Sequence, residues 1–275
     1  MQSKINVYPA TTGESNVHRH ALVTAIFLLL MAFLAIPVPF AQKAHAAMHG
    51  ICAQRPSHTF SIGATHLPFD ARMTGIYLGF FVTFLAMIVS KRHLRSGFPS
   101  IGSTLVAGAL VGSMAIDGVN SLVTDLGLVT IYETTNTRRL ITGTAAGTSL
   151  AMFLVMLLGM TLWSSSKTHE RVVNRWWHLI LLFGLGLGAA GLLVSSPGFM
   201  AIPISSVLMM AAVIAFSSLS LVTLILITGR ENMYASFTDA QPMVVRGLVI
   251  GVAAILVLSG ARFTIEAVTG MPPLI

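Results

Sequence analysis

The sequence predicts an all-α integral membrane protein that crosses a bilayer about seven times. Its N-terminus is expected in the cytoplasm and its C-terminus outside. Three observations carry this. Of 275 residues, 55% are hydrophobic and 9% charged, whereas soluble domains carry about 25% charged residues. Apolar runs of about 18 or more residues recur along the chain, each long enough to cross hydrocarbon as a helix. The runs are continuous rather than alternating. Backbone in lipid must satisfy itself as a helix or a closed barrel, and continuity excludes the barrel.

Taken in order, residues 1–20 form a polar cytoplasmic segment with Lys4 and Arg19. Residues 21–40 are the first apolar run. Ala44-His45-Ala46 behind it has the small-x-small form of a signal-peptidase site. The run is long for a signal peptide and suits a span, so an uncleaved anchor is expected. Residues 41–69 read as a polar extracytoplasmic loop rich in histidine around Cys52. A six-span bundle then occupies 70–268, with spans near 69–90, 101–116, 140–163, 177–194, 202–228 and 244–268, and residues 269–275 form a tail. Residues 118–137 read as an interfacial helix or a loop. No internal repeat or soluble domain is evident.

Orientation follows from the basic residues, which collect in short cytoplasmic loops. Lys4, Arg19, Lys91, Arg92, Arg95, Lys167, Arg171, Arg175 and Arg230 fall on one side; Lys43, Arg55, Arg138 and Arg139 fall on the other. The first side is therefore cytoplasmic, and Trp163, Trp176 and Trp177 lie at its interface, where tryptophan is favoured. The net charge of +7 is explained by this topology and calls for no nucleic acid. The expected partners are the lipid bilayer and other subunits of a membrane complex. The single cysteine leaves no disulfide within the chain.

This topology gathers the unusual polar residues at the outer face. Asp70 and Arg72 stand at the mouth of the second span, Asp117 ends the third, and Arg138 and Arg139 open the fourth. Arg262 and Glu266, four apart, share a face of the last span and can pair. Arg72 shares a side with Gly75 and Gly79, a small-xxx-small surface that packs on another helix. Its guanidinium is therefore directed into protein, where it needs a carboxylate; Asp117 and Glu266 are the candidates. Asp70, Met73 and Tyr77 line the opposite side. Gly143 with Gly147, and Gly247 with Gly251, repeat the close-packing device. Each charge taken singly has a plainer reading, a side chain reaching to the headgroups. The glycines at 184, 186, 188 and 191 and the 15 methionines read as packing residues.

The stretch His49-Gly50-Ile51-Cys52-Ala53-Gln54-Arg55-Pro56-Ser57-His58-Thr59-Phe60, followed by Leu67-Pro68-Phe69-Asp70-Ala71-Arg72-Met73-Thr74-Gly75-Ile76-Tyr77-Leu78-Gly79, resembles domain-of-unknown-function family 2085, a family of prokaryotic multi-pass membrane proteins. Asp117-Gly118, and Asn136 through Arg138 and Arg139 to Thr142-Gly143, resemble its downstream motifs, so the similarity runs over about 49–147. The family pattern carries three cysteines. Here Cys52 holds one position while Asp70 and Met73 stand at the other two, and Ala53 replaces a usual histidine. The resemblance implies a multi-pass protein of a prokaryote's plasma membrane and brings no activity with it.

Four functions remain open. A zinc or copper site would draw on His49, Cys52, His58, His66, Asp70 and Met73, because thiolate, imidazole, carboxylate and thioether suit those metals; solvated loop histidines are the plainer account of the same residues. A transporter would use intramembrane Asp and Arg, although the charges gather at one face rather than at the midplane. A membrane enzyme would clamp an anionic lipid or small solute with arginine, within a polar set of Gln54, Asp70, Arg72, Tyr77, Asp117, Asn136, Arg138, Arg139, Arg262 and Glu266. A non-catalytic accessory subunit or scaffold would use the glycine-rich helix faces.

Overall fold

The computed structural model describes residues 12–164 and 170–270. Lys4, Lys167 and the tail beyond Gly270 lie outside the described residues. The chain forms α1 (Thr12–Ala35), α2 (Phe40–Met48), a hairpin of β1 (Thr59–Ile62) and β2 (Thr65–Asp70), then α3 (Ala71–Val89), α4 (Ile101–Asp125), α5 (Asn136–Leu162), α6 (Trp176–Val194), α7 (Ala201–Thr228) and α8 (Phe237–Thr269). Among the described residues six helices are long and apolar enough to cross a membrane, or seven if a bent pair near the N-terminus counts as one.

That pair departs from the expected straight first span. Helix α1 stops at Ala35, and the chain turns by 118° before α2. Pro37 and Pro39 lie in the break; a proline disfavours helix at the residue before it and removes an amide donor. The expected loop at 41–69 is instead largely folded into α2, two short 3-10 turns and the two-stranded hairpin. The third span also runs on past its expected end, through Asp117 to Asp125. Asp117, Asn120 and Ser121 are buried against protein while Val119, Leu122 and Leu126 remain exposed, so the helix keeps one apolar side beyond its first charge.

Helix α5 is the centre of the bundle, buried along most of its length. It lies against α3 with four glycines at the contact. A Cβ on Gly75 would overlap the carbonyl oxygen of Leu140, and one on Gly79 that of Thr144; Gly143 and Gly147 meet the carbonyl oxygens of Arg72 and Ile76 in the same way. Small residues at this spacing let two backbones touch, which is where packing energy between helices in lipid arises. Gly247 and Gly251 of α8 rest on Leu221 and Ser217 of α7. The outward sides of α4 and α6 are apolar, as Leu105, Ile116, Leu181, Leu185 and Leu192 illustrate.

The two ends of the bundle differ. At one end Trp163 Nε1 donates to the His93 carbonyl at 2.9 Å, Arg92 to the Val172 carbonyl at 2.8 Å, and Asn232 N–H to the Thr161 carbonyl at 2.9 Å. At the other end α2, the hairpin, the α4–α5 connection and the C-terminal part of α8 come together, with Gly63 of the hairpin turn against Gly198 before α7.

Candidate functional site

The end that carries the hairpin holds two polar networks and a charged cleft. The first network starts where β2 runs into α3. Asp70 is the N-cap of α3, its Oδ1 accepting the Met73 N–H at 2.9 Å, the usual role of aspartate before a helix. Two residues on, Arg72 crosses to α4. Its Nη2 donates to Asp117 Oδ2 at 2.6 Å, to the Asp117 carbonyl at 3.2 Å and to Ser121 Oγ at 3.0 Å. Asp117 is fully buried and also accepts from Tyr132 Oη at 3.1 Å and Thr142 Oγ1 at 3.3 Å. A buried carboxylate held by a guanidinium and two hydroxyls is well satisfied. Burial, and then the hydrogen bond to Asp117, raise the Tyr132 phenol above its ordinary value. Asn120 secures the connection to α5, donating to the Tyr132 carbonyl at 2.8 Å and accepting from Ile131 N–H at 2.9 Å.

Beside this network is a cleft of about 230 Å³ whose walls include Arg55, His58, Asp70, Arg72, Asp125 and Arg139. Arg55 and Asp125 form a pair at 2.6 Å on the rim. Arg139 is 6% exposed, and its hydrogen bonds go to neutral groups, Asn136 Oδ1 at 3.0 Å and Thr134 Oγ1 at 3.3 Å. Asn136 in turn donates to the Ser57 carbonyl at 3.1 Å, which ties α5 to the segment before the hairpin. Arg138 turns away and stacks over Tyr132, 5.0 Å from the ring centre. His58 is held below the ordinary histidine range by burial and then by the Arg139 charge. A larger cavity, about 550 Å³, lies between α2 and the hairpin against Phe263; it has no arginine or carboxylate in its wall.

The second network fastens the turn at 49–54 to α8. His49, 1% exposed, stacks on Phe263 at 4.3 Å between ring centres. Its Nδ1 meets Gln54 Oε1 at 3.0 Å and its Nε2 meets Glu266 Oε2 at 2.8 Å. Gln54 Nε2 donates to the carbonyls of His45 and Pro68, both at 2.9 Å, so its oxygen faces the imidazole. Both ring nitrogens therefore face acceptors. Arg262 Nε donates to Glu266 Oε1 at 2.8 Å, and its terminal nitrogens reach the carbonyls of His49, Cys52 and Ala53. Gly50 sits so close to Leu258 and Ser259 that no side chain fits.

Of the residues singled out by sequence, Asp70, Arg72 and Arg139 line the cleft, with Asp117 and Asn136 directly behind. Arg72 pairs with Asp117 and not with Glu266; Glu266 pairs with Arg262 and His49. Gln54 belongs to the second network, and Tyr77 is in the core on Phe69, 4.6 Å between ring centres.

The six expected metal donors are not gathered. His49 is engaged by Gln54 and Glu266, His66 bonds Ser61 Oγ at 2.9 Å, Met73 is packed against the apolar core, and His58 faces the cleft. Among the described residues no three His, Cys, Asp or Glu side chains are grouped as a metal would need. Cys52 is buried and accepts the Asp70 N–H at 3.2 Å. Burial, then the Asp70 charge, push its thiol up to about 12.

The model of the family described as predicted membrane protein, DUF2085, matches residues 52–153. An uncharacterised protein of Methanothermobacter thermautotrophicus is 33% identical over 108 residues, which is 39% of this chain and 86% of that protein. The chain belongs to the DUF2085 family. It is a multi-pass membrane protein. No solved structure matches it. The matched segment contains all six cleft residues named above, whereas His49, Arg262 and Glu266 lie outside it.

Sequence reasoning missed Ser121, Tyr132 and Phe263 as parts of the two networks, and Arg55 and Asp125 as the pair on the rim of the cleft. Ser121 and Asp125 follow Asp117 at intervals of four, so they share its side of a helix. That signal emerges only when α4 is carried past Asp117.

Proposed function

We propose that this protein is a membrane-embedded binding protein whose charged cleft, at the extracytoplasmic end of the bundle, takes a small charged solute or a lipid headgroup. One observation carries the reading. Arg139 is largely buried on the wall of a cleft, and among the described residues its hydrogen bonds go to neutral groups and no carboxylate is in direct contact with it. Asp125, Asp117 and Asp70 act on it only through space; a buried cation without a directly paired anion is disfavoured, and a ligand that brings one relieves it. The orphaned Arg72 Nε, sealed from solvent without a partner, is a second donor on the same wall. Extracytoplasmic placement in a prokaryotic plasma membrane is supported by the excess of Lys and Arg in loops at the opposite end. The reading does not call on a metal.

The test is native mass spectrometry of protein extracted in mild detergent from its own membrane, beside an Arg139→Gln variant. The expected result is a bound mass on the wild type that the folded variant lacks. A wild type that carries no ligand after incubation with a total lipid and solute extract, or a variant that keeps the same ligand, would overturn the reading.

A further inference from the structure

We infer that the ligand of the cleft is a zwitterion, a small group with an ammonium at one end and an oxyanion at the other. This rests on the binding reading above and adds the chemical class.

The argument is a pairing of charges. Arg55 is matched by Asp125 at 2.6 Å, and Arg72 by Asp117 at 2.6 Å. Two charges on the cleft wall are left over. Arg139 has neutral hydrogen-bond partners and feels Asp125, Asp117 and Asp70 only through space. Asp70 accepts the Met73 amide and lies beside a thiol whose value is pushed up to about 12; it makes no direct ion pair among the described residues. His58, held below the ordinary histidine range, adds no third charge near neutral pH. Arg139 and Asp70 thus line one cavity of about 230 Å³ without an ion pair between them. An anion would satisfy Arg139 and be repelled by Asp70; a cation would do the reverse. A ligand carrying both charges answers both, and it leaves the neutral balance of the cleft intact.

The surroundings set the size and depth of the ligand. A cavity of this volume holds a headgroup-sized moiety and no acyl chain beside it. Its mouth includes Leu122, and the adjoining outward side of α4 and its connection to α5 is apolar and exposed at Ile116, Val119, Leu126 and Val129. The mouth therefore opens where hydrocarbon gives way to headgroups. An aminophospholipid headgroup and a free amino-bearing phosphoester share the required chemistry.

The experiment uses the full chain in maltoside micelles. Short-chain phosphatidylethanolamine, short-chain phosphatidylglycerol and soluble glycerophosphoethanolamine are each titrated against wild type, Asp70→Asn and Arg139→Gln, with affinity read by native mass spectrometry. Asparagine caps a helix as well as aspartate does, so Asp70→Asn removes the charge and keeps the fold. The expected result is phosphatidylethanolamine binding at least about tenfold tighter than phosphatidylglycerol, a preference erased in Asp70→Asn, and loss of both in Arg139→Gln. Binding of glycerophosphoethanolamine as well supports a free zwitterion as a source; binding of the lipid alone supports the headgroup. Phosphatidylglycerol binding as tightly as phosphatidylethanolamine, with Asp70→Asn unchanged, overturns the zwitterion while leaving the binding reading standing. No binding by any probe overturns both.

Discussion

Arg72→Ala tests the ion pair that fixes the wall of the cleft. The substitution leaves the Asp117 carboxylate, 1% exposed, without its guanidinium, while the Arg72 side chain it replaces was 24% exposed. Removing one partner of a buried pair costs about 3–5 kcal/mol. The partial exposure of Arg72 admits water, and the Tyr132 and Thr142 hydroxyls remain on Asp117, so the loss is expected at or just below the bottom of that range, about 2–3 kcal/mol. In a chain of this length that lowers the unfolding midpoint by roughly 5–10 °C. The assay is thermal unfolding in a fixed detergent, followed by intrinsic tryptophan fluorescence. Asp117→Asn combined with Arg72→Ala removes the stranded charge and should recover more than half of the loss, giving a positive coupling in a double-mutant cycle. An Arg72→Ala protein as stable as wild type, or a double variant showing the simple sum of two losses, would refute the reasoning.

Other outcomes follow from the same geometry. Gly147→Leu should separate α3 from α5, because a Cβ there would overlap the Ile76 carbonyl; poor recovery of folded protein in size-exclusion chromatography is expected, whereas Gly184→Leu, at a glycine with open space around it, should behave as wild type. Cys52, buried with a thiol raised from 9.0 to about 12, should resist iodoacetamide at pH 8 in the folded protein and react promptly once unfolded; fast alkylation of the folded protein would contradict the assigned burial. His58 and His93 are held below the ordinary value of 6.5, first by burial. A depressed histidine favours the fold while neutral, so this contribution is present above pH 6.5 and is lost as pH falls below it. Detergent stability should decline below pH 6.5 and decline less in His58→Gln, and an identical profile in that variant would count against the assignment. A cysteine placed at Ser166 should be shielded from a membrane-impermeant maleimide in intact cells, and ready labelling would reverse the proposed orientation.

The bundle was largely legible because lipid leaves backbone few options: each long apolar run had to be a helix. What the runs concealed were their breaks and ends. Pro37 and Pro39 stand inside the first run, and hydropathy outweighed them in reading a straight span, although their effect on a helix is local and was visible. The helix beyond Asp117 was hidden for the opposite reason. Its polar residues read as an exit from the membrane, whereas pairing with Arg72 and the 131–132 backbone allows the helix to stay within the protein. The pairing of Arg262 with Glu266 followed from spacing along one helix. His49 with Glu266, 217 residues apart, left no local trace. Asp70 illustrates how one residue supports two readings: by position it stood where a metal ligand was expected, and its geometry makes it a helix cap at the edge of a cleft. The unpaired state of Arg139 was beyond the sequence altogether, since it depends on Asp117 and Asp125 being taken by other arginines.

The most direct test of the central claim is a structure of the protein in native lipid at a resolution that shows headgroups. The account predicts bound density in the cleft, within hydrogen-bond distance of Arg139 and extending toward Asp70. An empty cleft with Arg139 swung onto Asp70 as a further internal ion pair would contradict it, because no charge would then be left for a ligand to answer.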